Sequence, residues 1–451
     1  MATFDKKAPG VYVEEISKLP PSVASVATAI PGFVGYTEKG TKNTAIRVES
    51  LIDFEEKFGY ACKIAISEED KINGLEYKLH ESMRLFYANG GGICYVVSVG
   101  NYTDAISNTA LETGISMLEP IDEVTMIVVP DAVSLEIDEL ASVQNAALAQ
   151  CLELKDRVAI LDVKDTGNCN TDATNFRNSI GTKGASYGAA YYPYIKSVYD
   201  REINVYDIYK GLELSNQELE NAQYYAELSE PTEESTLFAK QLMSKPEYAK
   251  LVAKIQEQAN LLPPSGAIAG IYCANDNQRG VWHAPANMSV SGISDINVRI
   301  SDKQQGELNE NTSGKCINAI RAFQGKGILV WGARTLDGLS SEWKYISVRR
   351  FFNYVEESIQ ESTAWAVFQP NDANTWVKVR CQIENFLSNL WRDGALAGST
   401  PQEAFYVRVG INQTMTAQDI LNGYMIVEIG MAAVRPAEFI VLQFSHKLQE
   451  S

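Results

Sequence analysis

Asp131, after the apolar run 124–130, and Asp162, after 157–161, are the residues best placed for acid–base chemistry. Doubly wound α/β enzymes set functional carboxylates at strand ends, so this pair would suit an α/β enzyme of hydrolase type. The competing use is structural, because aspartate after a strand commonly caps a turn or a helix start. Three histidines, His80, His283 and His446, fall in a helical stretch, a Gly/Pro-rich stretch and the final apolar run. Metal sites and general bases draw heavily on histidine, and this scarcity weighs against both. Ser265, in PPSGA, has only His283 as a nearby base; there is no G-x-S-x-G, and the flanking prolines point to a rigid turn. Neither a G-x-x-x-x-G-K-[ST] loop nor a strand-linked G-x-G-x-x-G occurs. Asn89, Gly90, Gly91 and Gly92 precede a strand rather than a helix, the wrong order for holding phosphate. The expected catalytic, cofactor-binding and metal-ligating sets are therefore empty, and no cofactor is expected.

Seven cysteines, Cys62, Cys94, Cys151, Cys169, Cys273, Cys316 and Cys381, are odd in number and scattered without a C-x-x-C pair. They read as reduced core residues of a protein folded in the cytosol. Arg321, Arg334, Arg349 and Arg350 stand in apolar or Gly-rich surroundings. A solvated helix face is the ordinary explanation for such arginines, and ion pairing across subunit contacts is the alternative that the planar guanidinium suits.

The elements that must position these residues follow from hydrophobic period. Runs at 124–133, 157–163 and 188–195 alternate with helical stretches, one of them the Ala-rich 135–153. Near-continuous apolar runs separated by helices predict a mainly parallel sheet covered on both faces. A helix near 76–89 and a turn at 89–92 feed a buried strand within 86–100. Residues 198–260 turn polar and helix-favouring and read as a helical insertion. The chain is expected to return to the sheet by a short strand at Ala267, Ile268, Ala269, Gly270, Ile271 and Tyr272. Val348, Phe352, Val355 and Ile359, and then Trp376, Val379, Ile383, Phe386 and Leu390, repeat at three- and four-residue spacing and predict two amphipathic helices. Strands are expected at 404–409, 424–434 and 438–446. The β-branched and aromatic run at 11–16 suggests an N-terminal arm that pairs with a sheet edge.

The fold class predicted is α/β, α+β overall: a mainly parallel core sheet flanked by helices, a C-terminal α/β domain, a helical insertion and terminal β-strand arms. The corresponding divisions are an arm to 30, a β-rich part 31–100, a core domain 101–287 interrupted at 198–260, a connecting segment 288–340, a C-terminal domain 341–437 and a final arm 438–451. A formal net charge of −18 argues against nucleic acid or an anionic membrane as the main partner. No stretch has the length and apolarity of a membrane span or the layout of a secretory signal. Release from the cell would then require lysis.

One stretch, 262–287, reads LPPSGAIAGIYCANDNQRGVWHAPAN and carries no nucleophile–base pair. It closely resembles the signature of contractile tail sheath proteins, as found in phage tails, R-type pyocins and extracellular contractile injection systems. Further motifs carry the resemblance, among them APGVYVEEI (8–16), GKCINAIRAFQGKGILVWGARTL (314–336), YISVRRFFNYVEESIQESTAWAVFQPND (345–372), FLSNLWRDGALAG (386–398) and IGMAAVRPAEFI (429–440). It covers the chain from end to end apart from 198–260, and the insertion departs from simpler members. The resemblance implies a non-enzymatic structural subunit that stacks as six-fold rings around an inner tube protein and contracts. Strand exchange between subunits would use Val11, Tyr12, Val13 and Glu14 of one neighbour and Phe439, Ile440, Val441 and Leu442 of another. Lys378, Arg380 and Arg392 are the candidates to face the tube. Sister sheath proteins, a baseplate and terminator or cap proteins are the further partners implied, with assembly in the bacterial cytoplasm and release by lysis.

Overall fold

A computed structural model describes residues 23–67, 71–228, 230, 232–310 and 312–439. These form two compact units, one built on Val26–Glu357 with the segment from Ala433 onward, the other on Ser358–Ala432 with the residues up to Ser25.

The larger unit is organised by a nine-stranded sheet. In chain order its strands are β1 (Pro31–Tyr36), β2 (Ala45–Val48), β3 (Cys94–Gly100), β4 (Met126–Val128), β5 (Val158–Asp162), β6 (Gly188–Tyr192), β7 (Met288–Ser289), β8 (Ile317–Phe323) and β9 (Gly327–Val330). Across the sheet the order is β7-β9-β8-β6-β5-β4-β1-β3-β2. The six strands from β8 to β3 run parallel, while β2 closes one edge and β9 with β7 the other in antiparallel pairing. Residues 288–340 thus belong to the sheet through β7, β8 and β9.

Period-two alternation divides the strands between two cores. Val34, Val97, Ile127, Ala159, Leu161 and Ala190 point to one face, beneath the helices Asn108–Ser116, Ile137–Leu154 and Cys169–Ser179. Phe33, Val96, Val128, Val158, Ile160 and Tyr191 point to the other. That second face is covered by α1 (Leu79–Ala88) and α2 (Ser265–Arg279). Apolar residues on both sides of every central strand explain why these segments read as unbroken apolar runs.

The segment 267–272 is helical, contrary to the strand expected from its sequence: it lies inside α2. A short apolar run does not by itself separate a buried strand from a buried helix. The deciding residues are Gly266 and Gly270, four apart on one helix face. A Cβ on Gly266 would stand 2.5 Å from Ser82 O, and one on Gly270 2.4 Å from Phe86 O. Only hydrogen side chains let α2 lie this close to α1, so the glycine-rich character of the stretch serves helix–helix approach.

The insertion at 198–260 consists of the helices Val205–Ile208, Asn216–Ala226, Glu233–Met243 and Pro246–Ala259, around one small core of their own and a second in which Ile208, Ile255 and Ala259 pack with Ile64 and Ile66 outside the insertion. It leaves from the strand Ile195–Ser197 and returns by Leu261–Leu262, and the two pair antiparallel, Lys196 opposite Leu261 and Ile195 opposite Leu262.

In the smaller unit, residues 358–363 end the helix that begins at Ile346, and α3 (Ala373–Arg392) follows. Asp372 caps α3 by accepting the Thr375 N–H, and Val379, Ile383, Phe386 and Leu390 form its buried stripe. A hairpin of Phe405–Arg408 and Glu428–Met431 completes the unit.

Candidate assembly interface

The carboxylates with the strongest catalytic claim are already occupied. Asp131 is fully buried, and its oxygens accept the Tyr36 N–H at 2.7 Å and the Lys78 N–H at 2.5 Å. Asp162, also buried, accepts the Ser265 N–H at 2.9 Å. Lys78 and Ser265 sit at the starts of α1 and α2, whose cap residues supply no side-chain hydrogen bond of their own. The two aspartates therefore cap, from strand ends, the two helices that cover one face of the sheet. Burial pushes both carboxyls up to about 7, against the pull of the amides that hydrogen-bond to them. Ser265 is fully buried and His283 is exposed, an arrangement that serves no nucleophile–base pair.

The four arginines lie neither on a solvated face nor free for a neighbouring subunit; each is used within the chain. Arg350 forms an ion pair with Asp276 at 2.6 Å, both side chains 3% exposed, and donates to Thr28 O. Arg349 packs over Trp343 and Tyr187 and donates to the Tyr187 hydroxyl at 2.6 Å. Arg321 pairs with Asp302 at 2.8 Å and Arg334 with Glu438 at 2.7 Å. Apart from Trp343, their partners lie outside the local sequence, which is why local context suggested solvent. All seven cysteines are free thiols, five of them buried. No described helix is long and apolar enough to cross a membrane.

What the smaller unit offers is surface rather than chemistry. Its hairpin pairs Phe405 with Met431, Tyr406 with Gly430, Val407 with Ile429 and Arg408 with Glu428, and among the described residues it is a sheet of two strands. A lone two-stranded ribbon is marginal in water and presents unpaired backbone groups at its edges. Beside it lies a groove of about 800 Å³ lined by residues including Ile359, Val367, Phe368, Val379, Met425 and Val427. Phe368 at its rim is fully exposed at φ 64°, a conformation that bulky side chains rarely adopt. An aromatic held in this way next to an apolar groove marks a surface built to be covered.

The residues anticipated for strand exchange lie largely elsewhere: Val11, Tyr12, Val13, Glu14, Ile440, Val441 and Leu442 are outside the described residues. Phe439 is described, outside any strand and 69% exposed. Of the tube-facing candidates, Lys378 and Arg392 are exposed on α3 and, at about 100° per residue, point within about 40° of each other. Arg380 departs from that direction: it lies about 160° from Lys378, is half-buried and stands 3.7 Å from Glu384. Sequence reasoning named capping as the competing use of these aspartates but not which helices they cap, and it missed the Arg334–Glu438 pair, for which no local signal exists.

Similarity to known proteins extends over nearly all of the chain. Residues 104–336 match the phage tail sheath protein central domain and residues 340–447 the phage tail sheath C-terminal domain. The tail sheath protein of Vibrio phage KVP40 is 23% identical over 192 residues, 42% of this chain but 27% of that protein. The chain thus spans only about a quarter of the length of this curated relative. Among solved structures, the sheath complex of an extracellular contractile injection system, PVC, in its contracted state is 31% identical over 99% of each chain, with a TM-score of 0.69. The contracted helical sheath of the anti-feeding prophage is 30% identical, covering 97% of this chain and 99% of that one, with a TM-score of 0.66.

Proposed function

Because the chain belongs to the phage tail sheath protein family, we propose that it is a structural subunit of a contractile sheath, polymerising as stacked six-fold rings around an inner tube. The observation that carries this reading is the end-to-end match to the contracted injection-system sheath, 99% of each chain at 31% identity. In support, the smaller unit presents, among the described residues, a sheet of only two strands with an adjoining apolar groove. The 11–16 strand of one neighbour and the C-terminal strand of another, beginning beyond Phe439, would extend that ribbon by β-augmentation. Each added strand brings several backbone hydrogen bonds worth about 0.5–1.5 kcal/mol net apiece. An extended arm of about twenty residues reaches roughly 66 Å, enough to stay attached while subunit bodies rotate. Contraction is then a passage between two packings, the extended one kinetically trapped, with no nucleotide consumed.

The face of α3 bearing Lys378 and Arg392 is the proposed tube contact, and Arg380 is assigned to the unit's own Glu384 pair instead. Baseplate, cap and sister sheath proteins are further proposed partners, assembly occurring in the bacterial cytoplasm and release following lysis. An enzyme built on Asp131 and Asp162 loses its support, since both carboxylates are engaged as helix caps.

Negative-stain microscopy of the purified chain tests the reading: hollow tubes with a helical repeat are expected, and persistently small, discrete particles would count against it. Removing residues 1–17 should abolish tubes while leaving the circular dichroism spectrum intact. Tubes that survive the truncation would refute the N-terminal arm.

A further inference from the structure

The side chain of Arg334 is only 2% exposed, and every polar group on it is committed. Nε and a terminal nitrogen donate to the Glu438 carboxylate at 2.8 and 2.7 Å, and the other terminal nitrogen donates to Asn309 O at 2.8 Å. The backbone is braced as well: Arg334 N–H donates to Asn318 Oδ1, and Asn318 Nδ2 donates to Arg334 O. Tyr345, paired with Arg334 in an isolated antiparallel bridge, donates its hydroxyl to Glu438 Oε2 at 3.1 Å. Two rigidly held side chains of the body therefore converge on one carboxylate.

The segment carrying that carboxylate is held quite differently. Pro436, Ala437 and Phe439 form one wall of a cavity of about 550 Å³ whose opposite wall includes Ala284, Ala286 and Trp331. Close packing would leave no such space, so the segment hangs on its acid more than on apolar contact. One residue further on the chain turns apolar, Phe-Ile-Val-Leu at 439–442.

We propose that Arg334, Tyr345 and Glu438 form a clasp fixing the point from which residues 440–451 leave the body to reach a second copy of this chain. The proposal rests on the reading of the C-terminal residues as an inter-subunit strand. A bidentate Arg–carboxylate pair is directional as well as strong, so it sets where the arm starts and which way it heads. A fixed root raises the effective concentration of the strand at the neighbour's edge, and any pull on the strand passes into the body through Glu438. Arginine stays charged at every working pH, so the basic half of the clasp is constant.

The test uses the full chain, with Glu438→Ala, Glu438→Gln and Tyr345→Phe beside a deletion of 440–451, and reads proteolysis within 433–439, pelletable tube yield and circular dichroism. Glu438→Ala should be cut about tenfold faster in the dispersed state and give about tenfold fewer tubes, with the dichroism unchanged. Glu438→Gln, which keeps an acceptor and so guards against a folding defect, and Tyr345→Phe should fall between it and the parent. The deletion should abolish tubes without altering cleavage at 433–439. Tubes lost on deletion but kept at parental yield in Glu438→Ala would overturn the clasp alone. Tubes kept on deletion would sink the strand reading and the clasp's role with it.

Discussion

At the scale of single residues, the chain shows how a carboxylate can look catalytic and be architectural. Asp131 and Asp162 occupy the positions where doubly wound enzymes keep their acids, and residue type and strand-end position were legible in the sequence. What was not legible is the partner, because Lys78 lies 53 residues from Asp131 and Ser265 lies 103 residues from Asp162. The same holds for Arg350 with Asp276 and Arg334 with Glu438, separated by 74 and 104 residues. Local pattern reports what a side chain can do, while only the fold decides whom it meets. The capping role has a pH signature. Burial raises the Asp162 carboxyl from 3.8 to about 7 in the folded state. Between those values the folded chain holds a proton that the unfolded chain has released, so this group's contribution to stability falls as pH rises from about 4 to about 7. Asp162→Asn keeps an oxygen for the Ser265 amide and removes the titration. Its thermal midpoint should therefore change less over that range than the parent's, and equal slopes would show that Asp162 does not titrate there.

At the scale of elements, strong period was read well and short apolar runs were not. The strands at 124–133, 157–163 and 188–195 correspond to β4, β5 and β6, and the stripe from Val379 to Leu390 is the buried side of α3, with Trp376 half-buried at its start. The exception, 267–272, failed for a physical reason: contact between α1 and α2 is made by the absence of side chains at Gly266 and Gly270, which no hydrophobicity pattern records. The insertion carries a prediction at this scale. Arg201, just inside its start, is buried against Glu81 at 2.5 Å and donates to Gly74 O and Tyr77 O, so it belongs to the body. Replacing 204–258 by a short linker should preserve folding and assembly. Extending the cut to remove Arg201 strands a buried carboxylate, which costs about 3–5 kcal/mol. Chemical denaturation of the two deletions compares them directly, and equal midpoints would contradict this division.

At the scale of the whole molecule, a formal charge of −18 must be brought together many times over in a polymer. Like-charged bodies repel across about 30 Å at 0.01 M salt but only about 8 Å at 0.15 M. Sedimentation over that range should show more of the chain in tubes as salt rises; tubes that dissolve instead would mean that neighbours are held by complementary ion pairs. The paired strands at the mouth of the insertion, Lys196 opposite Leu261, have a further consequence. Backbones so paired stand about 5 Å apart, and doubling the length of a loop between fixed ends costs only about 0.6 kcal/mol. That mouth is accordingly a ready graft point: a guest domain with adjacent termini, an enzyme or a fluorescent reporter, could replace the four helices there and be carried in every copy.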